Sequence, residues 1–173
     1  MRSSKTRGRS TEKDAIALLK EDHEKVRDLL GELEETTDKA VGKREKLLAA
    51  IEQELAIHTR IEEEIFYPAF RDAARKKDDA KLYYEALEEH HVVGLVMPEI
   101  KGTGVDSEQF AAKAKVLKDL VEHHAEEEEK EMFPRARKLM DREELLRLGG
   151  ELATAKESMA RGTQGRLAGL LGG

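Results

Sequence analysis

The sequence predicts an all-α protein: an up-down-up-down four-helix bundle with an extra C-terminal helical segment. Three observations carry that expectation. The 173 residues include only 3 prolines, and over half of the 13 glycines lie beyond residue 148, so little interrupts the chain until its end. Alternating runs of β-branched residues are absent, whereas four long segments repeat apolar residues at three- and four-residue spacing. The connections between those segments are short, which favours antiparallel neighbours.

The first segment runs from about Thr11, read as an N-cap with Asp14 three residues on, to about Glu35; its stripe is Ile16, Leu19, His23, Val26, Leu30 and Leu33. The second spans about Val41 to Arg75, with Leu48, Ile51, Leu55, His58, Glu62 and Ile65 in phase, and Pro68 is expected to kink it. The third spans about Asp79 to Ile100 through Leu82, Ala86, His90, Val93 and Met97, before "KGTGVDS" closes it and caps the next helix. The fourth starts near Ser107, follows Leu117, Leu120, His124, Glu128 and Glu131 to Pro134, and continues to about Met140. Its second half reads as polar on every side. "DREELLRLGGELATAKESMA" adds a helical piece, and "RGTQGRLAGLLGG" reads as flexible. The expected organisation is a disordered basic tail at 1–10, the bundle at 11–140, the C-terminal helical segment at 141–161 and a Gly-rich tail at 162–173.

Composition narrows the chemistry. No cysteine is present, so disulfides and thiolate metal sites are excluded, and any cation must rely on nitrogen and oxygen donors. The net charge of −6 argues against general nucleic-acid binding. No apolar run approaches the ~20 residues of a membrane span, and "MRSSKTRGRS" lacks the apolar stretch of a secretory signal, so the cytoplasm is the expected compartment and no membrane partner is expected.

Each of the four stripes contains a histidine, and two also contain a glutamate. "HTRIEEEIFYP" and "HAEEEEKEMFP" repeat one skeleton sixty-six residues apart: His58 with Glu62, and His124 with Glu128, each followed by an aromatic residue and a proline. A buried carboxylate costs several kcal/mol unless it is paired or coordinated. Residues i and i+4 of a helix lie about 40° apart in rotation and ~6 Å apart along the axis, so each pair offers a nitrogen and a carboxylate to one point. Two such pairs suit two cations ~3.5 to 4 Å apart, with His23 and a third-helix histidine capping them from the remaining helices. Two carboxylates and an oxo or hydroxo bridge would offset most of the charge.

With "KEDHEKVRDLL" and "EEHHVVGLVMPEI", these motifs make the chain resemble the hemerythrin-like, or HHE cation-binding, family over about Asp14 to Met140. The resemblance implies a non-haem di-iron centre in a four-helix bundle, ligated by His23, His58, Glu62, His90, His124 and Glu128. It also implies oxygen binding, sensing of oxygen, iron or redox state, or reaction with peroxide or nitric oxide, with an unidentified reductant. Two registers stay open: His90 or His91 on the third helix, and His124 with Glu128 or His123 with Glu127 on the fourth. Glu63, Glu64, Glu126, Glu127 and Glu129 are expected either to face solvent or to orient the histidines, with Glu63 and Glu127 as alternative ligands. Tyr67 and Phe133 are expected to pack beside the site.

Oxygen-carrying members of the family have a second third-helix histidine one turn from the first. Here Gly94 follows His90 by four residues and Ala86 precedes it by four, so the centre should keep one more exchangeable position. That favours peroxide reactivity over a sensing or binding module without turnover. A metal-free structural bundle would leave Glu62 and Glu128 unexplained, and a ferritin-like store would use Glu-x-x-His pairs.

Overall fold

A computed structural model describes residues 13–171, with side chains as far as residue 162. In chain order it contains α1 (Ala15–Glu34), α2 (Val41–Ile61), a first π turn (Glu62–Phe66), α3 (Tyr67–Ala73), α4 (Lys77–Lys101), α5 (Glu108–Glu127), a second π turn (Glu128–Met132), α6 (Phe133–Leu139) and α7 (Arg142–Leu171). Helices α1, α2, α4 and α5 form the up-down-up-down bundle in that cyclic order, and α2 with α4 is the least closely packed of its four neighbouring pairs. No strand occurs, and no helix is long and apolar enough to cross a membrane, among the described residues.

Local chemistry sets the helix ends. Asp14, rather than the expected Thr11, caps α1: its Oδ1 accepts the Ala17 amide at 2.8 Å, and Thr11 lies outside the described residues. Ser107 caps α5 as its position suggests, accepting the Phe110 amide at 3.1 Å.

The kink expected at Pro68 takes another form. The Tyr67 amide donates to the Glu62 carbonyl five residues back, and the Phe133 amide does the same to Glu128, so each repeated motif contains one π turn just before its proline. A π turn absorbs one extra residue. Tyr67, nine residues after His58, would sit about 180° from it on a regular α-helix; with one residue absorbed it takes the place of the eighth, about 80° away. The same shift brings Met132 and Phe133 inward, so the second half of the fourth bundle segment is not polar on every side: Met132, Phe133 and Ala136 are buried.

Two apolar clusters fill the bundle, with the polar layer between them. One holds Val26, Leu30, Ile51, Leu55, Phe110 and Leu117. The other holds Ile16, Leu19, Ile61, Phe66, Tyr67 and Phe133, and α7 closes it with Leu145, Leu148 and Leu152. Helix α7 lies against α1, α2 and the first π turn. Gly149 permits this approach, since a Cβ there would meet the Lys13 carbonyl oxygen at 2.2 Å. The backbone of α7 stays helical to Leu171, beyond the end expected near 161, because isolated glycines cost a helix only about 1 kcal/mol each.

Candidate metal centre

Each bundle helix delivers one buried histidine, and the two π turns begin on the buried carboxylates. His23 comes from α1, His58 from α2, His90 from α4 and His124 from α5; Glu62 is 0% exposed and Glu128 2%. Their donor atoms converge. Glu62 Oε2 lies 3.2 Å from both His58 Nε2 and His90 Nε2. Glu128 Oε2 lies 3.1 Å from His23 Nε2 and 3.6 Å from His124 Nε2, and the Nε2 atoms of His90 and His124 are 3.1 Å apart. Two donors at ~2.1 Å from one ion and at right angles stand ~3 Å apart, so these separations suit shared coordination better than hydrogen bonding between like atoms.

Two overlapping groups result: His23, His58, Glu62 and Glu128, and Glu62, His90 and His124, each with donor atoms within 4.8 Å of one another. Glu62 belongs to both. His23 Nε2, Glu62 Oε1 and Glu128 Oε2 are buried without a hydrogen-bond partner. Buried polar atoms are rarely left so, and an all-nitrogen-and-oxygen donor set fits a borderline or hard cation.

The far nitrogens show the same economy. His23 Nδ1 meets Glu129 at 2.8 Å, His90 Nδ1 meets Glu63 at 2.9 Å and His124 Nδ1 meets Glu89 at 2.6 Å; His58 Nδ1 faces Asp22 Oδ2 at 3.7 Å. Every one of these carboxylates sits next in sequence to an inward residue: Asp22 to His23, Glu63 to Glu62, Glu89 to His90 and Glu129 to Glu128. A step of one residue turns the side chain about 100°, toward the adjoining helix, where it orients that helix's histidine. Glu63 and Glu129 thus take the orienting role held open for them. Asp22 and Glu89 were missed, although an acid directly before His23 and before His90 was a readable signal.

The two open registers separate by burial. His90 points inward while His91 is exposed; His124 points inward while the side chain of His123 is 65% exposed and meets Glu127 at 3.3 Å. His123, Glu127 and Glu89 form a surface cluster outside the buried layer. Glu64 and Glu126 engage Arg60 and Lys130 at the surface. Tyr67 is more than a packing aromatic. Its ring stacks on His90 at 5.4 Å, and its hydroxyl donates to Glu128 Oε1 at 2.8 Å, 3.4 Å from Glu62 Oε2 and 3.2 Å from His90 Nε2. Phe133, its counterpart in the repeat, stacks on His23 at 5.7 Å.

Burial drives the electrostatics. It pushes Glu62 well above the usual carboxylate range, and the facing Glu128 carboxylate pushes it further. Burial acts on Glu128 in the same sense, but the charges of His124, His23 and His58 outweigh it and hold Glu128 low. Without a cation the facing acids are therefore pushed apart, Glu62 toward its protonated form and Glu128 toward its charged one. Burial also pulls His58 down to about 4. For His124 burial works downward, but Glu128 and Glu89 prevail and raise it.

A cavity of about 20 Å³ adjoins the four histidines, closed by Val26, Leu55, Val93 and Val121. That is room for one water-sized molecule. Leu55, Thr59, His90 and Val93 also line a groove of about 410 Å³ between α2 and α4, beside Gly94. Gly94 therefore faces this groove and not the small cavity, and a Cβ there would meet nothing within 4 Å.

A protein described as a DNA nickase from Nostoc sp. (strain PCC 7120) is 26% identical over 152 residues, and the chain spans 42% of that relative's length and 88% of its own. The crystal structure of a hemerythrin HHE cation binding domain-containing protein from Mycobacterium kansasii superposes with a TM-score of 0.78 at 27% identity, covering 90% of this chain and 93% of the other. The model of the hemerythrin HHE cation binding domain matches residues 14–136, the stretch that carries all four inward histidines and both buried glutamates, and the chain belongs to that family.

Proposed function

We propose that His23, His58, Glu62, His90, His124 and Glu128 hold two iron ions and that the protein reacts with hydrogen peroxide, with oxygen or nitric oxide as further small-molecule ligands. The observation that carries this reading is the pair of overlapping donor groups sharing Glu62, with buried donor atoms left without hydrogen bonds. When bound, a di-iron pair supplies electrons to or from a small oxygen-containing ligand and polarises it.

The chain's own residues do the rest. The ring of acids fixes each imidazole so that Nε2 faces inward. Val26, Leu55, Val93 and Val121 admit a small neutral molecule and keep bulkier ones away from the histidines. The Tyr67 hydroxyl, held against Glu128 beside His90, is placed to deliver or receive a proton at the centre. The open α2–α4 groove beside Gly94 gives peroxide a route inward.

The test joins metal analysis to peroxide consumption. Protein purified with iron present should hold two ions per chain and consume peroxide above a Glu62→Ala control for free iron. One zinc per chain, reproducibly, would refute the di-iron assignment. A second reading, a binding or sensing module without turnover, draws on the nickase relative, in which the matching region is under half of the protein. Reversible oxygen uptake lasting hours, with no peroxide loss above the control, would select it.

A further inference from the structure

His58 is held differently from the other three histidines, and the difference originates in α7, beyond the family match at 14–136. Glu63, Glu89 and Glu129 reach solvent while they engage their histidines. Asp22 does not: its side chain is 6% exposed. Its Oδ1 takes the Lys156 ammonium, reaching in from α7, and its Oδ2 faces His58 Nδ1 at 3.7 Å. Asp22 Oδ2 and His58 Nδ1 are both buried without a hydrogen-bond partner, so each is the nearest complement the other has. A buried carboxylate so near Glu62 and Glu128 would be costly without a cation of its own, and Lys156 supplies one.

We propose that Lys156 is a positioning residue for the metal centre: by tethering Asp22 it keeps an acceptor opposite His58 Nδ1, so that His58 carries its proton there and presents Nε2 to Glu62. Helix α7 is then a working part of the centre as well as a cover for its apolar end. The proposal rests on reading the buried layer as a cation site, but its first test does not need the cation.

In cation-free protein, nitrogen-detected imidazole NMR should find His58 in the Nδ1–H tautomer. Lys156→Met should move the population toward Nε2–H, and Lys156→Arg should restore it. Leu152→Ala, which loosens the same helix without touching the charge, should lower the melting temperature and leave the tautomer unchanged. In iron-loaded protein, Lys156→Met should speed loss of metal to a chelator about ten- to a hundredfold, with Lys156→Arg close to the parent. A His58 tautomer indifferent to Lys156→Met overturns the inference even if two ions bind, as does Leu152→Ala reproducing both effects. A chain that binds no ions overturns the metal centre instead, and the tautomer then decides the role of Lys156 alone.

Discussion

The His23 side of the centre and the His90 side are near copies that differ in their surroundings. "EDHEKVRD" on α1 and "EEHHVVGL" on α4 align acid with acid, His23 with His90 and Val26 with Val93, but Arg27 with Gly94. Arg27 binds Glu129 at 2.9 Å and closes the face between α1 and α5 over His23. Gly94 has nothing to close with, and the face between α2 and α4 stays open beside His90. The stacked aromatics differ likewise: Phe133 brings only a ring to His23, whereas Tyr67 brings a hydroxyl to His90 and Glu128. The near-twofold repeat supplies a symmetric set of donors, and a few flanking differences give it one closely packed side and one open side.

The largest effect should come from the residue both sides share. Glu62→Ala removes a donor from each group, so metal analysis should find both ions lost, whereas Glu128→Ala should strip the His23 side first and retain metal at His90 and His124. Equal loss in the two variants would break the comparison. Next comes the aromatic difference. Tyr67→Phe should keep the metal and slow peroxide consumption roughly a hundredfold or more, in the range typical of a lost proton donor. Phe133→Tyr should leave the rate unchanged and cost about 1 to 3 kcal/mol in thermal unfolding, the penalty of a buried hydroxyl without a partner.

Acidity sharpens the contrast between the two glutamates. Because Glu62 and His124 are both raised in the cation-free state and a cation favours their deprotonated forms, affinity should fall as pH falls, by about tenfold per unit for each proton displaced. Metal titrations between pH 8 and 6 on the proton scale would show it, and flat affinity would contradict the division between Glu62 and Glu128. The smallest effect concerns the open face. Gly94→Leu sets its Cβ in open space on the groove wall and should hold or raise stability by up to about 1 kcal/mol while slowing azide binding to the iron-loaded protein. His91→Ala and His123→Ala, both at the surface, should leave metal content unchanged.

The inward residues were legible because one helix suffices to place them. An apolar stripe with a histidine in phase states which face is buried, and i,i+4 spacing brings His58 to Glu62 and His124 to Glu128 without knowledge of any other helix. The same phase favours His90 over His91, since consecutive residues point about 100° apart, but the choice stayed open until burial in the folded bundle made it. Tyr67 was less legible: a regular helix turns it away from His58, and the π turn that restores it depends on a five-residue hydrogen bond that periodicity does not reveal.

Sequence alone therefore determined the helical class, the absence of thiolate chemistry and the stretch of each helix that carries the candidate donors, all of which follow from composition and the local geometry of a single helix; burial then chose His90 over His91 and His124 over His123. Tertiary structure decided which acid orients which histidine, that Lys156 reaches Asp22 across 134 residues, and that the bundle opens between α2 and α4 while it closes between α1 and α5. Those relations join side chains on different helices, and their distances are fixed by how the helices pack and rotate against one another, a quantity that no spacing within one segment contains.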